Sequence, residues 1–178
     1  MYMELGLKRN EVRLVEHSQE WKNNFLEVKQ EIIYATGISE NRIEHIGSTA
    51  IEGIEAKPII DIAIGVDDLK NVEKAIFQGL KEIGFLRLRV ERPNEIVLAK
   101  FTDKTFDKKT HYIHLVEYEG ELWKNLLFFR DYLNANQAVR EAYEQLKKTF
   151  LEESSGGINE YTDYKEEFVK GIFQKRTS

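Results

Sequence analysis

Between residues 17 and 37, in HSQEWKNNFLEVKQEIIYATG, apolar side chains recur at Trp21, Phe25, Val28 and Ile32. That spacing puts them on one face of a helix, with Ser18 placed as an N-cap and Gly37 as the stop. RIEHIGS (42–48) predicts a short strand running into a Gly-Ser turn, and KPIIDIAIGV (57–66) a second strand buried on at least one face. A second helix is expected to begin near Asp67 or Asp68 and to carry Leu69, Val72, Ile76, Leu80 and Ile83 on one stripe before Gly84. FLRLRVER (85–92) alternates, with Leu86, Leu88 and Val90 opposite Arg87, Arg89 and Glu91. Pro93-Asn94 fits a hairpin turn, IVLAKFTD (96–103) the return strand, and HYIHLVEY (111–118) one more strand. Two helical stretches follow, LWKNLLFFRDYLNA and AVREAYEQLKKTFLEE, broken around Asn134 to Gln137. Ser154-Ser155-Gly156-Gly157 reads as a linker. Beyond it a final helix is expected to turn Tyr161, Tyr164, Phe168 and Ile172 inward. The order α-β-β-α-β-β-β and three helices predicts an α+β core over 1–120, with a helical part over 121–178 packed on it as one compact unit.

One residue breaks the pattern. Strand periodicity places Ile60, Ile62, Ile64 and Val66 on one face, and Ile59, Asp61, Ala63 and Gly65 on the other. Asp61 therefore lies on a face of small or polar residues, where a ligand has room. Upstream, Gly47-Ser48 ends a strand in a way that lets backbone approach a phosphate closely. A strand carboxylate beside such a turn suits Mg²⁺, which takes one or two carboxylates plus substrate phosphates. Lys57, fixed by the following Pro58, is a candidate for meeting a triphosphate. His45 shares strand parity with Gly47 and suits a supporting role. His111 and His114 stand three apart, so a strand points them to opposite faces and they do not chelate one ion together.

Composition narrows the partners. Lys and Arg total 26 against 31 for Asp and Glu, a net charge of −5, which argues against a broad nucleic-acid-binding face. With no cysteine there is neither disulfide nor thiolate zinc site. The N-terminal residues lack the apolar core of a signal peptide and no apolar run matches a membrane span, so a cytoplasmic, membrane-free protein is expected.

HIGSTAIEGIEAKPIIDIAIGV (45–66), THYIHLVE (110–117) and LLFFRDYLNAN (126–136), in that order, resemble the GrpB family, small bacterial proteins of the nucleotidyltransferase-like superfamily. The resemblance implies a nucleotidyltransferase-like core, a mixed β-sheet with flanking helices, plus C-terminal helices. It also implies a nucleotide or small phosphorylated ligand, with Mg or Mn as cofactor. By the superfamily pattern Gly47 and Ser48 match the phosphate-side turn and Asp61 the first metal carboxylate. Glu117 is the candidate third carboxylate, His114 the acid/base or phosphate partner, and Arg130 a pocket residue. The second carboxylate belongs at residue 63, which is Ala63. Two readings stand. One is Mg-dependent transfer of a nucleotidyl group to a small acceptor. The other is a nucleotide-, anion- or partner-binding module whose catalytic site is degenerate. Arg87 and Arg89 read as solvated strand charge, and the aromatic clusters of the late helices as packing.

Overall fold

A computed structural model describes residues 4–9, 11–102, 105–153 and 158–178, the side chains of 153 and 158–164 excepted. The expected linker at 154–157 and the side chains of Tyr161 and Tyr164 lie outside the described residues. A sheet of six described strands is built from β1 (Leu7–Lys8), β2 (Ile43–Ile46), β3 (Ile60–Val66), β4 (Phe85–Arg87), β5 (Ile96–Phe101) and β6 (Lys108–Glu117). The strands run β2-β3-β6-β5-β4, and β1 adds to the start of β6. Only the central β3–β6 pair is parallel among them, which makes the sheet mixed.

Each face of β3 has its own cover. Ile60, Ile62, Ile64 and Val66 meet Ile113, Leu115, Leu98 and Phe85 from the neighbouring strands. Helix α1 (Glu20–Thr36) lays Trp21, Phe25, Val28 and Ile32 on them, and α2 (Lys74–Glu82) adds Leu80. Burying side chains of this size contributes about 1.5–3 kcal/mol each, which makes this layer the main source of stability. The opposite face belongs to α3 (Glu121–Ala135), α4 (Gln137–Glu153) and α5 (Ile158–Thr177). There Ile46, Ala63 and Val116 pack on Trp123, while Ile51 and Ile54 pack on Phe129, Leu133, Tyr143 and Ile172. No helix among the described residues is long and apolar enough to cross a membrane.

One local expectation is corrected. Asp68 caps a single 3-10 turn, Leu69–Asn71, by accepting the Lys70 amide, and the chain then extends through Val72 before α2 begins at Lys74. The short Asp side chain closes its own turn there and competes with a continuous helix. Over residues 85–90, Phe85 is buried while Arg87 and Arg89 are exposed, the solvated charge expected of them. Phe85 is 1 % exposed and Val90 is 53 % exposed. Registering Phe85 with Lys100 and Leu86 with Ala99 turns Phe85 toward α1 and α2, and Arg87 lies with it, its guanidinium 5.2 Å from the Phe77 ring. The strand ends at Arg87 because an edge position leaves the following residues little apolar surface to cover.

Candidate functional site

The Gly-Ser turn and the Asp61 strand are in direct contact. Ile46 pairs with Asp61 across β2 and β3, so the residue after Ile46 arrives beside the carboxylate. Gly47 has φ +75° and ψ −172°, a region open essentially to glycine. A Cβ there would stand 2.6 Å from Asp61 Oδ2. Sequence spacing joined these two residues only by analogy; packing joins them outright. Ser48 opens a 3-10 turn, Ser48–Ala50, and its hydroxyl lies 3.1 Å from the Tyr143 hydroxyl of α4. Below the turn, His45 Nε2 lies 2.8 Å from Thr49 Oγ1 and its ring stacks on Phe25 at 4.9 Å. Burial pushes the His45 pKa down to about 4, against the pull of Asp61, so it is a neutral support.

Asp61 heads a row of three side chains on adjacent strands. In register, Ala63 and Val97 both flank His114, so β3, β6 and the start of β5 present one shared face. His114 Nε2 lies 3.2 Å from Asp61 Oδ1, and its Nδ1 lies 3.6 Å from Glu95 Oε1. Burial opposes charge on the ring, yet the two carboxylates outweigh it and raise His114 to about 9. Burial likewise opposes the charge of Asp61, but His114, Lys165 and Lys57 hold its pKa below the ordinary value. His111, on the opposite face, lies 2.7 Å from Asn24 Oδ1 and sits in the core at a pKa burial lowers to about 4. The parity argument about the two histidines thus holds.

A cavity of about 100 Å³ lies over Asp61, lined by Ser48, Lys57, Ile59, Asp61, Tyr112 and Lys165. Burial, with Lys165 adding to it, lowers Lys57 to about 8. Behind the cavity, Lys147 is 2 % exposed, donates to the Glu55 carbonyl at 2.9 Å and lies 4.4 Å from the Tyr143 ring centroid. Burial, then Lys165 and Lys57, lowers it to about 7. Beyond Glu95 a wide groove of about 1240 Å³ opens between the 87–96 hairpin, Lys70, Glu117 and Glu121.

Two of the expected site residues go elsewhere. Glu117 aligns with Val66, five positions past the Tyr112 that aligns with Asp61, or roughly 16 Å along the strand. It also has the parity of Ile113 and Leu115, the α1–α2 face, and its carboxylate accepts from the Leu69 amide at 3.4 Å. Arg130 donates to Glu44 at 2.8 Å, to the His45 carbonyl at 3.0 Å and to Asp131 at 2.9 Å. It lines a separate recess at the β2 edge with His17 and Lys22. Burial works against its charge and these carboxylates more than restore it, so Arg130 is a brace between α3 and β2.

The residues around Asp61 do not fit the metal that the resemblance implies. At the second carboxylate position, Ala63 is fully buried against Ile46, Val116 and Trp123. Asp67 is paired with Arg42 at 2.8 Å and Asp68 caps its turn, so neither replaces the missing acid. Asp61 is engaged by the His114 ring at 3.2 Å, and no group of three His, Cys, Asp or Glu able to hold an ion occurs among the described residues. Glu95, Tyr112, Lys147 and Lys165 were not singled out from sequence. Tyr112 was within reach, since it shares strand parity with His114. Glu95 shares parity with Val97, but only the register places it beside His114.

With that geometry in place, the chain can be compared with known proteins. Residues 11–175 match the family model described as GrpB protein. This chain belongs to the GrpB family. Glutamate-rich protein GrpB of Alkalihalophilus pseudofirmus is 46% identical over 172 residues, covering 96% of this chain and 99% of that one. The crystal structure of GrpB from Enterococcus faecalis superposes at a TM-score of 0.76 with 26% identity, over 93% of this chain and all of the other. The GrpB family fold is therefore shared along nearly the whole chain. A weaker overlap, TM-score 0.49 at 15% identity over 75% of this chain and 42% of the other, is with the Cid1 poly(U) polymerase, whose crystal structure has Mg 3′-dATP bound.

Proposed function

We propose that this GrpB protein binds the phosphate end of a small phosphorylated ligand, of nucleotide class, in the cavity over Asp61, and that it is a binding module before it is a transferase. The observation that carries the reading is the convergence of Lys57, from the approach to β3, and Lys165, from α5, on one small polar cavity beside a glycine turn. An anion entering there meets both ammonium groups at short range, where partial burial weakens solvent screening of the attraction. A cavity of about 100 Å³ admits a phosphate group but not a whole nucleotide, for which pockets run to roughly 300 Å³ and more. The rest of the ligand then lies outside, toward solvent.

Isothermal calorimetry with ATP, pyrophosphate and inorganic phosphate tests this. Lys165→Met and Lys57→Met are each expected to weaken binding about tenfold, the size of one lost charge-assisted hydrogen bond. Arg130→Ala should leave affinity unchanged. No heat at millimolar ligand, or equal affinity in Lys165→Met, overturns the reading. Lys57 gives a further signature. Its charged form is more populated below pH 8, so binding at pH 8 should take up protons and tighten as pH falls toward 7.

A further inference from the structure

We infer that the ligand is a nucleoside polyphosphate whose outer part sits at the sheet corner beside Tyr112, its base on the Phe101–Phe106 ring pair and an inner phosphate at Lys109. This rests on the phosphate-binding reading above and names the class of compound that the site takes.

The corner is continuous with the cavity because Tyr112 belongs to both. Asp61, Tyr112 and Ala99 align across β3, β6 and β5, and Phe101 lies two residues beyond Ala99 on the same face. There the register slips: Lys100 pairs with His111 but Phe101 with Lys109, so Thr110 bulges. By unbroken parity Lys109 would share the core face of His111, and the bulge turns it to the face of Tyr112 instead. Its ammonium stands 5.5 Å from the Tyr112 ring centroid and 5.8 Å from that of Phe101. Phe106 completes the corner, its ring set edge to face with Phe101 at a centroid distance of 5.3 Å.

Packing does not account for these features. Phe106 is 53 % exposed, and its φ of +57° is a region that a bulky residue enters at a cost. A ring held in water on such a backbone adds little to the core, but it offers a face on which a base stacks. Lys109 is half-buried; burial, with Arg9 adding to it, lowers its pKa, and no carboxylate among the described residues offsets them. Of the other charges at the corner, Lys108 is paired with Glu4 at 2.7 Å, and Asp107 is exposed, its carbonyl accepting from the Arg9 amide at 3.1 Å. A phosphate beside Lys109 therefore meets a cation whose partial burial weakens solvent screening of the attraction. Span decides the class of ligand. Phe101 lies two strands across and two residues along from Asp61, roughly 12 Å by strand spacing and rise. Inorganic phosphate in the cavity does not reach that far, whereas a nucleoside triphosphate entering with its terminal phosphate first does.

Calorimetry comparing ATP with tripolyphosphate, which has the phosphates but neither ribose nor base, tests this on the wild-type protein alone. ATP is expected to bind about tenfold tighter, the effect of stacking one base on an aromatic side chain. Phe106→Ala should weaken ATP by about tenfold and leave tripolyphosphate unchanged. Lys109→Met should weaken both compounds several-fold, with circular dichroism confirming that each variant is folded. Wild-type affinities for ATP and tripolyphosphate equal within about twofold, or an unchanged ATP affinity in Phe106→Ala or in Lys109→Met, overturn the inference while leaving the phosphate site standing. If neither compound binds at millimolar concentration, the phosphate-binding reading itself falls and takes the inference with it.

Discussion

Replacing Gly47 by alanine isolates the contact on which the site is built. The backbone at φ +75° and ψ −172° costs a residue with a Cβ roughly 1–3 kcal/mol. The new methyl would meet Asp61 Oδ2 at 2.6 Å and Asp61 Cβ at 3.0 Å, and 3.4 Å is where ordinary contact begins. Asp61 must therefore retreat by several tenths of an ångström. Its hydrogen bond to His114 is already 3.2 Å long, so the retreat removes a charge-assisted interaction of about 1.5–3 kcal/mol. The two together predict a loss of roughly 3–5 kcal/mol. At about 2–4 °C per kcal/mol for a domain of this size, the melting temperature falls by roughly 6–20 °C. Chemical denaturation and calorimetric melting measure this directly. A double-mutant cycle with Asp61→Ala separates the parts, because removing the carboxylate relieves the clash but not the backbone strain. The expected coupling is the contact part, about 1.5–3 kcal/mol. A Gly47→Ala protein melting within about 2 °C of wild type refutes the argument, as does an equal cost in both backgrounds.

Other expectations follow from the same geometry. His114 has a folded pKa of about 9 against 6.5, so its stabilisation is complete below pH 6.5 and is lost as pH rises through 9. Relative to His114→Gln the wild type should lose about 3 kcal/mol across that window in urea titrations, and a flat difference contradicts the pairing of His114 with Asp61 and Glu95. Lys147 has the opposite sign: its folded pKa, about 7, is depressed from 10.5. Between those values the unfolded chain binds more protons, so wild-type stability relative to Lys147→Met should rise from pH 7 toward 10. Ala63→Asp buries a carboxylate beside Ile46, Val116 and Trp123, and should destabilise by about 3 kcal/mol or more without gaining Mn²⁺ affinity in calorimetry. Glu117→Gln should leave pyrophosphate affinity unchanged, since the residue serves the Leu69 turn on the other face.

Strand periodicity carried most of the fold and half of the site. A period of two assigned Ile60, Ile62, Ile64 and Val66 to one layer and Asp61 and Ala63 to the other, and separated His111 from His114 correctly. It also read Arg87 and Arg89 as solvated charge, and both are exposed. Periodicity did not place Glu117, because the register that sends it past the far end of Asp61's strand is set by the pairing of β3 with β6 and is invisible in composition. Arg130 was misplaced because a helix arginine near a site has several acidic partners within reach, and Glu44 on β2 captured it. Lys147 and Lys165 lie on the polar side of helical patterns, where lysine is ordinary. Only the docking of α4 and α5 on the sheet makes them unusual.

That docking has a consequence for how the protein comes into being. Gly47, Lys57 and Asp61 leave the ribosome early, whereas Tyr143, which holds Ser48, and Lys165, which lines the cavity, are made more than eighty residues later. Until α3, α4 and α5 arrive, the sheet face bearing Ile46, Ala63 and Val116 has no cover, and the cavity has only part of its wall. A nascent chain therefore has no binding competence to mature gradually. The pocket arises in one late step, and any ligand that fits it selects finished molecules over partly made ones.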